Sequence, residues 1–570
     1  MSAPDAGRVR RTVIVGGVAG GMSAATRLRR LDEAMEIVVL ERGDHVSFAN
    51  CGLPYHVGGV IEDREALLLQ TPESLAARFA IDVRVGHEVT GIDRERRVVQ
   101  VRDRRTGATS EEPYDALVLA TGAAPMRPPI PGVELTYALR DIADMDAIKA
   151  RLADLDQPRT AVIVGGGFIG LELAENLTHR GLAVSVVELA EHVLPPLDLE
   201  IAAVVQRHLA DHGVQVLTGV AASAVSSDTV TLSDGRTLPA DLVVMAAGVV
   251  PESTLARQAG LEVTERGGVV VDDHQRTSDP AVYAVGDVAV KRDAVSGDAV
   301  MVPLAQTANR HGRLVADVIA GRDVHAKPVL GSAIVGVFGL TVAATGWNEK
   351  RARAAGREIR VIHSHPNDHA GYYPGAQGMQ LKLVVDAATD EILGAQGVGG
   401  SGVDKRIDVI ATAMRGGLRA SDLADLELTY APQYGSAKDP VNMLGMVADN
   451  MVTGVTRTIQ WHEVEAEVMG GSVILDVRTA EEFADGTIPT ALNIPVDELR
   501  ERVAEIPAGR IVVTCAAGVR GHVATRVIRQ LGHDDVVNLD GGYQTFVPAV
   551  ELRGCCELLG AERRSPAAAR

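Results

Sequence analysis

The chain has 570 residues, enough at roughly 150 per domain for about four domains, or three with insertions. Hydrophobic residues make up 46% and aromatic ones only 3%, so the interior is expected to be built from Val, Ile, Leu and Ala, the mix of buried parallel sheets, and disorder or a collagen-like repeat is excluded. Fifty-six Lys and Arg against 75 Asp and Glu leave a formal net charge of −19, which argues against a surface that coats nucleic acid and makes any anion site local.

No run of about 18 uninterrupted apolar residues occurs, and the start MSAPDAGRVRR has no apolar stretch behind it, so a cytoplasmic protein without membrane contact is expected. Cysteines stand only at 51, 515, 555 and 556. They are too few for a disulfide framework and badly spaced for structural zinc, so their value must lie in reactivity.

From Thr12 the chain reads TVIVGGVAGGMSAATRLRRL and then EIVVLERGD. This is strand, glycine-rich turn, helix and strand, with Glu41 and Arg42 closing the second strand: a dinucleotide-binding unit. Small residues at the turn admit a pyrophosphate to the backbone amides, the helix N-terminus adds partial positive charge, and Glu41 is placed for a ribose hydroxyl. Gly16 and Gly21 match the G-x-G-x-x-G pattern, while Val18 takes the middle glycine slot. A second unit, TAVIVGGGFIGLELAENL followed by VSVVELAE, carries all three glycines, Gly165, Gly167 and Gly170, and ends its second strand at Glu188. Two such units predict two dinucleotides. Further strands end in small residues at ALVLATG, with Thr121 and Gly122, and at LVVMAAGVVP; VYAVGDV delivers Asp287 where a ribityl hydroxyl would lie.

These five segments, in this order, resemble the two-dinucleotide-fold flavoprotein disulfide reductases over about residues 10–450. The resemblance implies an α/β chain with two Rossmann-like domains, FAD on the first and NAD(P)H on the second. The FAD domain is expected at 10–150 and 250–330, the NAD(P)H domain at 151–249, and an α+β dimerisation domain at 331–452 that makes the protein a homodimer. A carboxylate at Glu188 welcomes a free 2′-hydroxyl and repels a 2′-phosphate, so NADH is expected over NADPH.

Cys51 lies in VSFANCGLPYHVGG. Many flavin disulfide reductases have C-x4-C here, but residue 56 is His56, so no internal dithiol forms. The segment resembles the single-cysteine branch, which includes coenzyme A disulfide reductases, persulfide reductases, NADH oxidases and NADH peroxidases. A lone sulfur pairs with an external thiol or is oxidised to a sulfenic acid. An ordinary thiol of pKa about 8.5 is only a few per cent ionised at pH 7, so the site is expected to lower that pKa, through the helix after Gly52 and the flavin ring.

Arg27 and Arg30 share a face of the first helix, with Ser47 and Asn50 just before the cysteine. In sequences resembling coenzyme A disulfide reductases these positions contact the coenzyme's phosphates and pantetheine arm. HAGYYPGA and YAPQYGSAKDPVN supply Tyr372, Tyr430 and Lys438, which the resemblance brings to the active site from the partner subunit. PLAQTANRHGR supplies Asn309 as a further coenzyme A contact. His363, His365 and His369 have a metal-like spacing but no arranged Cys or carboxylate companion, so no metal is assigned; a loop approaching the flavin is the expectation.

VILDVRTAEEFADGTIPTALNIP, IVVTCAAGVRGHVATRVIRQLG and VVNLDGGYQTF, within 460–552, resemble a single rhodanese domain. Cys515 ends a strand, and a loop to Arg520 precedes a helix, a cradle of amides and guanidinium for a thiolate or persulfide. Asp476 and Arg478 are expected to brace it. Thr487, often His, and Gly521, often Ser or Thr, depart from the usual form, the first remote from the sulfur. Residues 553–570 are expected to form a mobile tail, and Cys555 and Cys556 are assigned no role.

Together these readings imply an FAD-dependent, NAD(P)H-oxidising reductase of coenzyme A disulfide, coenzyme A persulfide or polysulfide, fused to a rhodanese sulfurtransferase. The alternatives are an NADH oxidase or peroxidase cycling Cys51 through sulfenic acid and, in another class, a redox sensor or sulfur carrier.

Overall fold

The computed structural model describes residues 10–155 and 159–554; of the tail expected at 553–570, Arg553 instead ends the helix Gly542–Arg553, and everything after Gly554, Cys555 and Cys556 included, lies outside the described residues. Two compact units emerge, one from 1–191 with 213–331, the other from 192–212 with 332–570.

In the first unit Thr12–Val15 are buried because the strand Arg11–Val15 sits in the middle of a five-stranded parallel sheet. The order is Val282–Ala284, Ala116–Leu119, Arg11–Val15, Glu36–Glu41 and Asp82–Val85. Both faces are covered: Ile14, Val39 and Val118 pack with Ala24, Leu28 and Val315, while Val13, Val38 and Leu117 pack with Val99 and Val101. Continuous Val/Ile/Leu strands suit this two-sided burial. Helix Ala19–Leu31 approaches helix Ala305–Ile319 so closely that a Cβ on Gly312 would stand 2.2 Å from the Gly20 carbonyl oxygen. A second parallel sheet runs Gln215–Thr218, Ala183–Glu188, Thr160–Val164, Leu242–Met245.

The second unit holds an antiparallel sheet in the order Ala333–Val337, Leu340–Gly346, Ile392–Gly399, Met379–Asp386, Ile359–Ser364. Helices Val403–Gly416 and Pro440–Val452 bury Ile407, Ile410, Val441 and Leu444 with Leu381 and Leu383. It also holds a five-stranded parallel sheet, Thr458–Ile459, Val536–Leu539, Ile511–Thr514, Val473–Asp476, Leu492–Asn493. Helix Leu199–Asp211 falls by chain order inside 151–249, where the NAD(P)H domain is expected, yet packs here: Leu199 meets the core of Ile459, Trp461 and Phe546, and Arg207 pairs with Glu551. Among the described residues no helix is long and apolar enough to cross a membrane.

Charge explains where that helix sits. Lys382, fully buried, places Nζ 2.5 Å from Glu200, 2.7 Å from Glu349 and 2.9 Å from Asp198. Gln396 completes the cluster by donating to the Asp198 carboxylate at 2.6 Å and accepting from its backbone N–H at 2.8 Å. Burial alone would lower the lysine pKa, but Glu200, Asp198 and Glu349 carry it well up. Three buried carboxylates therefore depend on one ammonium, and removing one partner of a buried ionic cluster leaves uncompensated charge. Lys382→Met is expected to destabilise this unit by about 3–5 kcal/mol, read as a lowered calorimetric transition; an unmoved transition contradicts the assignment.

Candidate functional site

The first unit contains a cleft of about 1020 Å³ whose lining includes Gly16, Glu41, Arg42, Thr121, Gly122 and Arg140. Its glycines have steric reasons. Gly16 has φ +105° and a Cβ there would meet the Ala120 carbonyl oxygen at 2.3 Å; a Cβ on Gly21 would meet the Gly16 carbonyl oxygen at 1.9 Å. Glu41 accepts from the Gly17 and Gly43 amides at 2.7 Å each, leaving a second lone pair on each oxygen for a ribose hydroxyl. The Thr121 hydroxyl donates to the Glu252 carbonyl at 2.7 Å, and Arg140 donates to Asp287 at 3.2 Å. Arg42 reaches Glu252 at 3.5 Å.

The second glycine loop repeats this design. Gly165 and Gly170 are wedged against Ala246 and Gly165 carbonyl oxygens at 2.2 and 2.0 Å, whereas the Cβ position of Gly167 is open. Glu188 accepts from the Gly166 and Ala190 amides at 2.7 and 2.8 Å. Both loops thus fit a dinucleotide, with small residues where a pyrophosphate approaches and a carboxylate at the ribose end.

Cys51 lies in the short 3-10 turn Asn50–Gly52, ahead of the six-residue helix Leu53–Gly58, and is exposed. Asn50, 3.8 Å from its sulfur through Oδ1, lines the cleft. Among the described residues Cys51 is unpaired, and the position of the second cysteine is held by His56, buried with Nδ1 2.7 Å from the Ile61 carbonyl and Nε2 2.7 Å from the Lys149 ammonium. The expected lowering of the thiol pKa is not supplied by the chain. Partial burial of the sulfur, then the negative charge of Glu172, push Cys51 up; Arg140 opposes and Asp287 adds to the rise. Glu172 is itself pushed up by burial and accepts a hydrogen bond from the Tyr55 hydroxyl at 3.2 Å, and burial with Glu172 pushes Tyr55 up to about 12. Glu172 carries no local sequence signal: it sits in the helix Phe168–His179, far in the chain from Cys51.

The residues expected to meet coenzyme A divide. Arg27 donates to Asp317 at 2.7 and 3.1 Å, and Arg30 is exposed. Ser47 holds φ +51° and donates its amide to the Gly17 carbonyl at 2.8 Å. Asn309 accepts from the Ser23 hydroxyl at 2.5 Å, bringing the first helix and the Asn309 helix to one place. In the second unit Lys438 is exposed, and the Tyr372 and Tyr430 hydroxyls share a 2.9 Å hydrogen bond on exposed rings.

Cys515, buried, follows the strand Ile511–Thr514, and the Gly518 amide donates to its sulfur at 3.1 Å. Arg520 is turned to Glu482 through two hydrogen bonds of 2.6 and 2.7 Å, which hold that carboxyl down at about 2. Arg478 grips Asp476 and lies 4.3 Å from the Tyr543 ring. Thr487 joins them by donating to Asp476 at 2.8 Å. A side chain at Gly521 would collide with Asn538 Oδ1 at 2.1 Å.

The histidine trio spans the end of the strand Ile359–Ser364 and the irregular segment that follows it. His363 ends the strand Ile359–Ser364 and bonds Asp540 at 2.7 Å and Glu200 at 3.0 Å; His365 bonds Thr545 at 2.7 Å and His369 bonds Asp368 at 2.9 Å. Two other groups have metal-like spacing among the described residues. In one, His325 is already paired with Asp273 and Asp323; in the other, the Lys382 ammonium stands among Asp198, Glu200 and Glu349.

Comparison with known proteins adds three regions. Residues 10–312 match the pyridine nucleotide-disulphide oxidoreductase family, 332–439 its dimerisation domain and 460–549 a rhodanese-like domain. Coenzyme A disulfide reductase of Staphylococcus aureus (strain bovine RF122 / ET3-1) is 34% identical over 439 residues, 77% of this chain and 99% of that protein. The crystal structure of reduced Bacillus anthracis CoADR-RHD aligns with a TM-score of 0.94 at 45% identity, covering 96% of this chain and 99% of that one. An NAD-dependent persulfide reductase from A. fulgidus aligns at 0.89 and 38%, covering 94% and 100%.

The Cys51 environment generates a test. Because Glu172 raises the thiol pKa, Glu172→Gln is expected to shift the pH midpoint of Cys51 alkylation by iodoacetamide downward, followed on the Cys51 peptide. An unchanged or higher midpoint contradicts the assigned influence.

Proposed function

The chain belongs to the pyridine nucleotide-disulphide oxidoreductase family, and from that premise we propose that it is an NADH-dependent reductase of coenzyme A disulfide and coenzyme A persulfide, with a fused sulfurtransferase. The observation that carries the reading is the solitary Cys51 beside the cleft, whose place for a second sulfur is filled by the tethered His56. Such a thiol completes a redox cycle with a sulfur from a small molecule or through a sulfenic acid, and the likeness to coenzyme A disulfide and persulfide reductases favours the first.

The family's cofactors are FAD and a nicotinamide nucleotide; FAD, when bound, supplies the two-electron link between NADH and a sulfur centre. Gly16, Gly21, Glu41, Arg42, Thr121, Gly122 and Asp287 would hold it, and Gly165, Gly167, Gly170 and Glu188 would hold NADH in preference to NADPH. Coenzyme A would be gripped by Arg27, Arg30, Ser47, Asn50 and Asn309. A homodimer would add Lys438, Tyr372 and Tyr430, the phenols positioned to protonate a leaving thiolate. Arg27 would then share its guanidinium between Asp317 and a phosphate.

In this reading Cys51 forms a mixed disulfide with coenzyme A, and Glu172 sets how tightly its sulfur holds a proton. A hydride and a proton convert coenzyme A disulfide to two thiols, or the persulfide to coenzyme A and hydrogen sulfide. Cys515, with Arg520 and the Gly518 amide, would carry sulfane sulfur, and polysulfide belongs to the same substrate class. We place this chemistry in the cytoplasm, where small thiols are kept reduced.

Steady-state assays separate the two sulfurs. Cys51→Ser is expected to abolish NADH oxidation driven by coenzyme A disulfide, while Cys515→Ser spares it and removes transfer of sulfur from thiosulfate to cyanide. Equal loss of both activities in either variant contradicts the division, and rapid oxidation with oxygen or peroxide alone identifies an oxidase instead.

A further inference from the structure

The loop that carries Cys515 is supported from outside the 460–549 region. Asp540, buried at the end of the strand Val536–Leu539, accepts at one oxygen from the His363 backbone N–H at 2.9 Å and from the His363 ring at 2.7 Å. Gln460 donates to the same oxygen at 3.3 Å. The other ring nitrogen of His363 meets Glu200 at 3.0 Å, and Glu200 meets Lys382. Burial alone would lower the His363 pKa, but the two carboxylates carry it up to about 9, so both ring nitrogens donate.

The two residues after Asp540 pass this restraint onward. Gly541 and Gly542 have φ of +67° and +58°, a left-handed pair that side chains resist. A Cβ on Gly541 would lie 2.8 Å from the His363 Cβ, and one on Gly542 would lie 2.4 Å from the Cys515 carbonyl oxygen. The next amides, of Tyr543 and Gln544, donate to the Cys515 and Ala516 carbonyls at 2.8 and 2.9 Å. His363 thus presses on one side of a two-glycine turn and the Cys515 loop rests on the other.

From these contacts we infer that His363 is a positioning residue for sulfur transfer at Cys515, fixing through Asp540 the Gly541–Gly542 turn that seats the reactive loop. The inference rests on the sulfurtransferase reading of Cys515. Its physical basis is the sensitivity of group transfer to placement: a displacement of about 1 Å transmitted from a remote contact costs on the order of 100-fold in rate. The side chain acts on the loop through Asp540 and through its packing beside Gly541.

The test uses the full-length flavoprotein. Thiosulfate supplies its sulfane sulfur to Cys515 and leaves as sulfite, and cyanide removes that sulfur as thiocyanate. His363→Ala is expected to lower this turnover about 10- to 100-fold, with NADH oxidation by coenzyme A disulfide unchanged. His363→Asn keeps a side-chain donor for Asp540 and is expected to restore most of the loss. The pH profile of Cys515 alkylation, followed on its own peptide, is expected to move in the Ala variant and return in the Asn variant.

Thiocyanate formation within about twofold of the parent in His363→Ala overturns the inference, as does an Asn variant that is folded yet no better than Ala. A parallel fall of both activities, with a lowered melting transition, also overturns it, because His363 would then serve only docking. If the parent's thiocyanate formation does not depend on Cys515, the sulfurtransferase reading fails; the alkylation profiles still decide the positioning claim, and superimposable profiles sink it.

Discussion

A sulfur with no second sulfur paired to it among the described residues governs the chemistry open to this chain. Cys51 is the only cysteine before residue 515, and the position that would give it a partner is held by His56 between a carbonyl and an ammonium. An arrangement of that kind cannot store two electrons in an internal disulfide. The groups around it also keep the proton on: burial and Glu172 raise the thiol pKa, and Arg140 offsets only part of the rise.

A second constraint acts in the other unit. Lys382 gathers Asp198, Glu200 and Glu349, and Glu200 passes the charge pattern to His363 and Asp540. Buried ionic clusters contribute little net stability compared with apolar packing of the same volume, but they tolerate few geometries. Here the geometry they select seats one helix, one antiparallel strand and the support of the Cys515 loop. The Cys515 loop, anchored in this way, is not a bead on a linker: residues well before position 460 share in its construction.

The parts legible in the sequence are those with local causes. Each glycine loop could be read because the chain must pass close to itself there, as the 1.9–2.3 Å clearances at Gly16, Gly21, Gly165 and Gly170 demonstrate. The α/β class followed from apolar strands alternating with helices, and the rhodanese-like region from the resemblance of its VILDVR, IVVTCAAGVRG and VVNLDGGYQTF segments to that domain. What stayed hidden depends on residues distant in the chain. Glu172 acts on Cys51, Asp317 takes the Arg27 guanidinium, and helix Leu199–Asp211 joins the second unit, none with a short-range signature. The histidine trio shows the same limit from the other side. Its spacing is metal-like, whereas the partners of His363 and His365, namely Asp540, Glu200 and Thr545, are contributed by segments far away in sequence.

Borrowing of an external sulfur by Cys51 is the central claim, and mass measures it directly. Protein isolated without reductant is expected to carry an adduct of coenzyme A mass on the peptide containing Cys51, released when NADH is added anaerobically. A Cys51 peptide that gains only oxygen on exposure to coenzyme A disulfide, and none of the coenzyme, would contradict it.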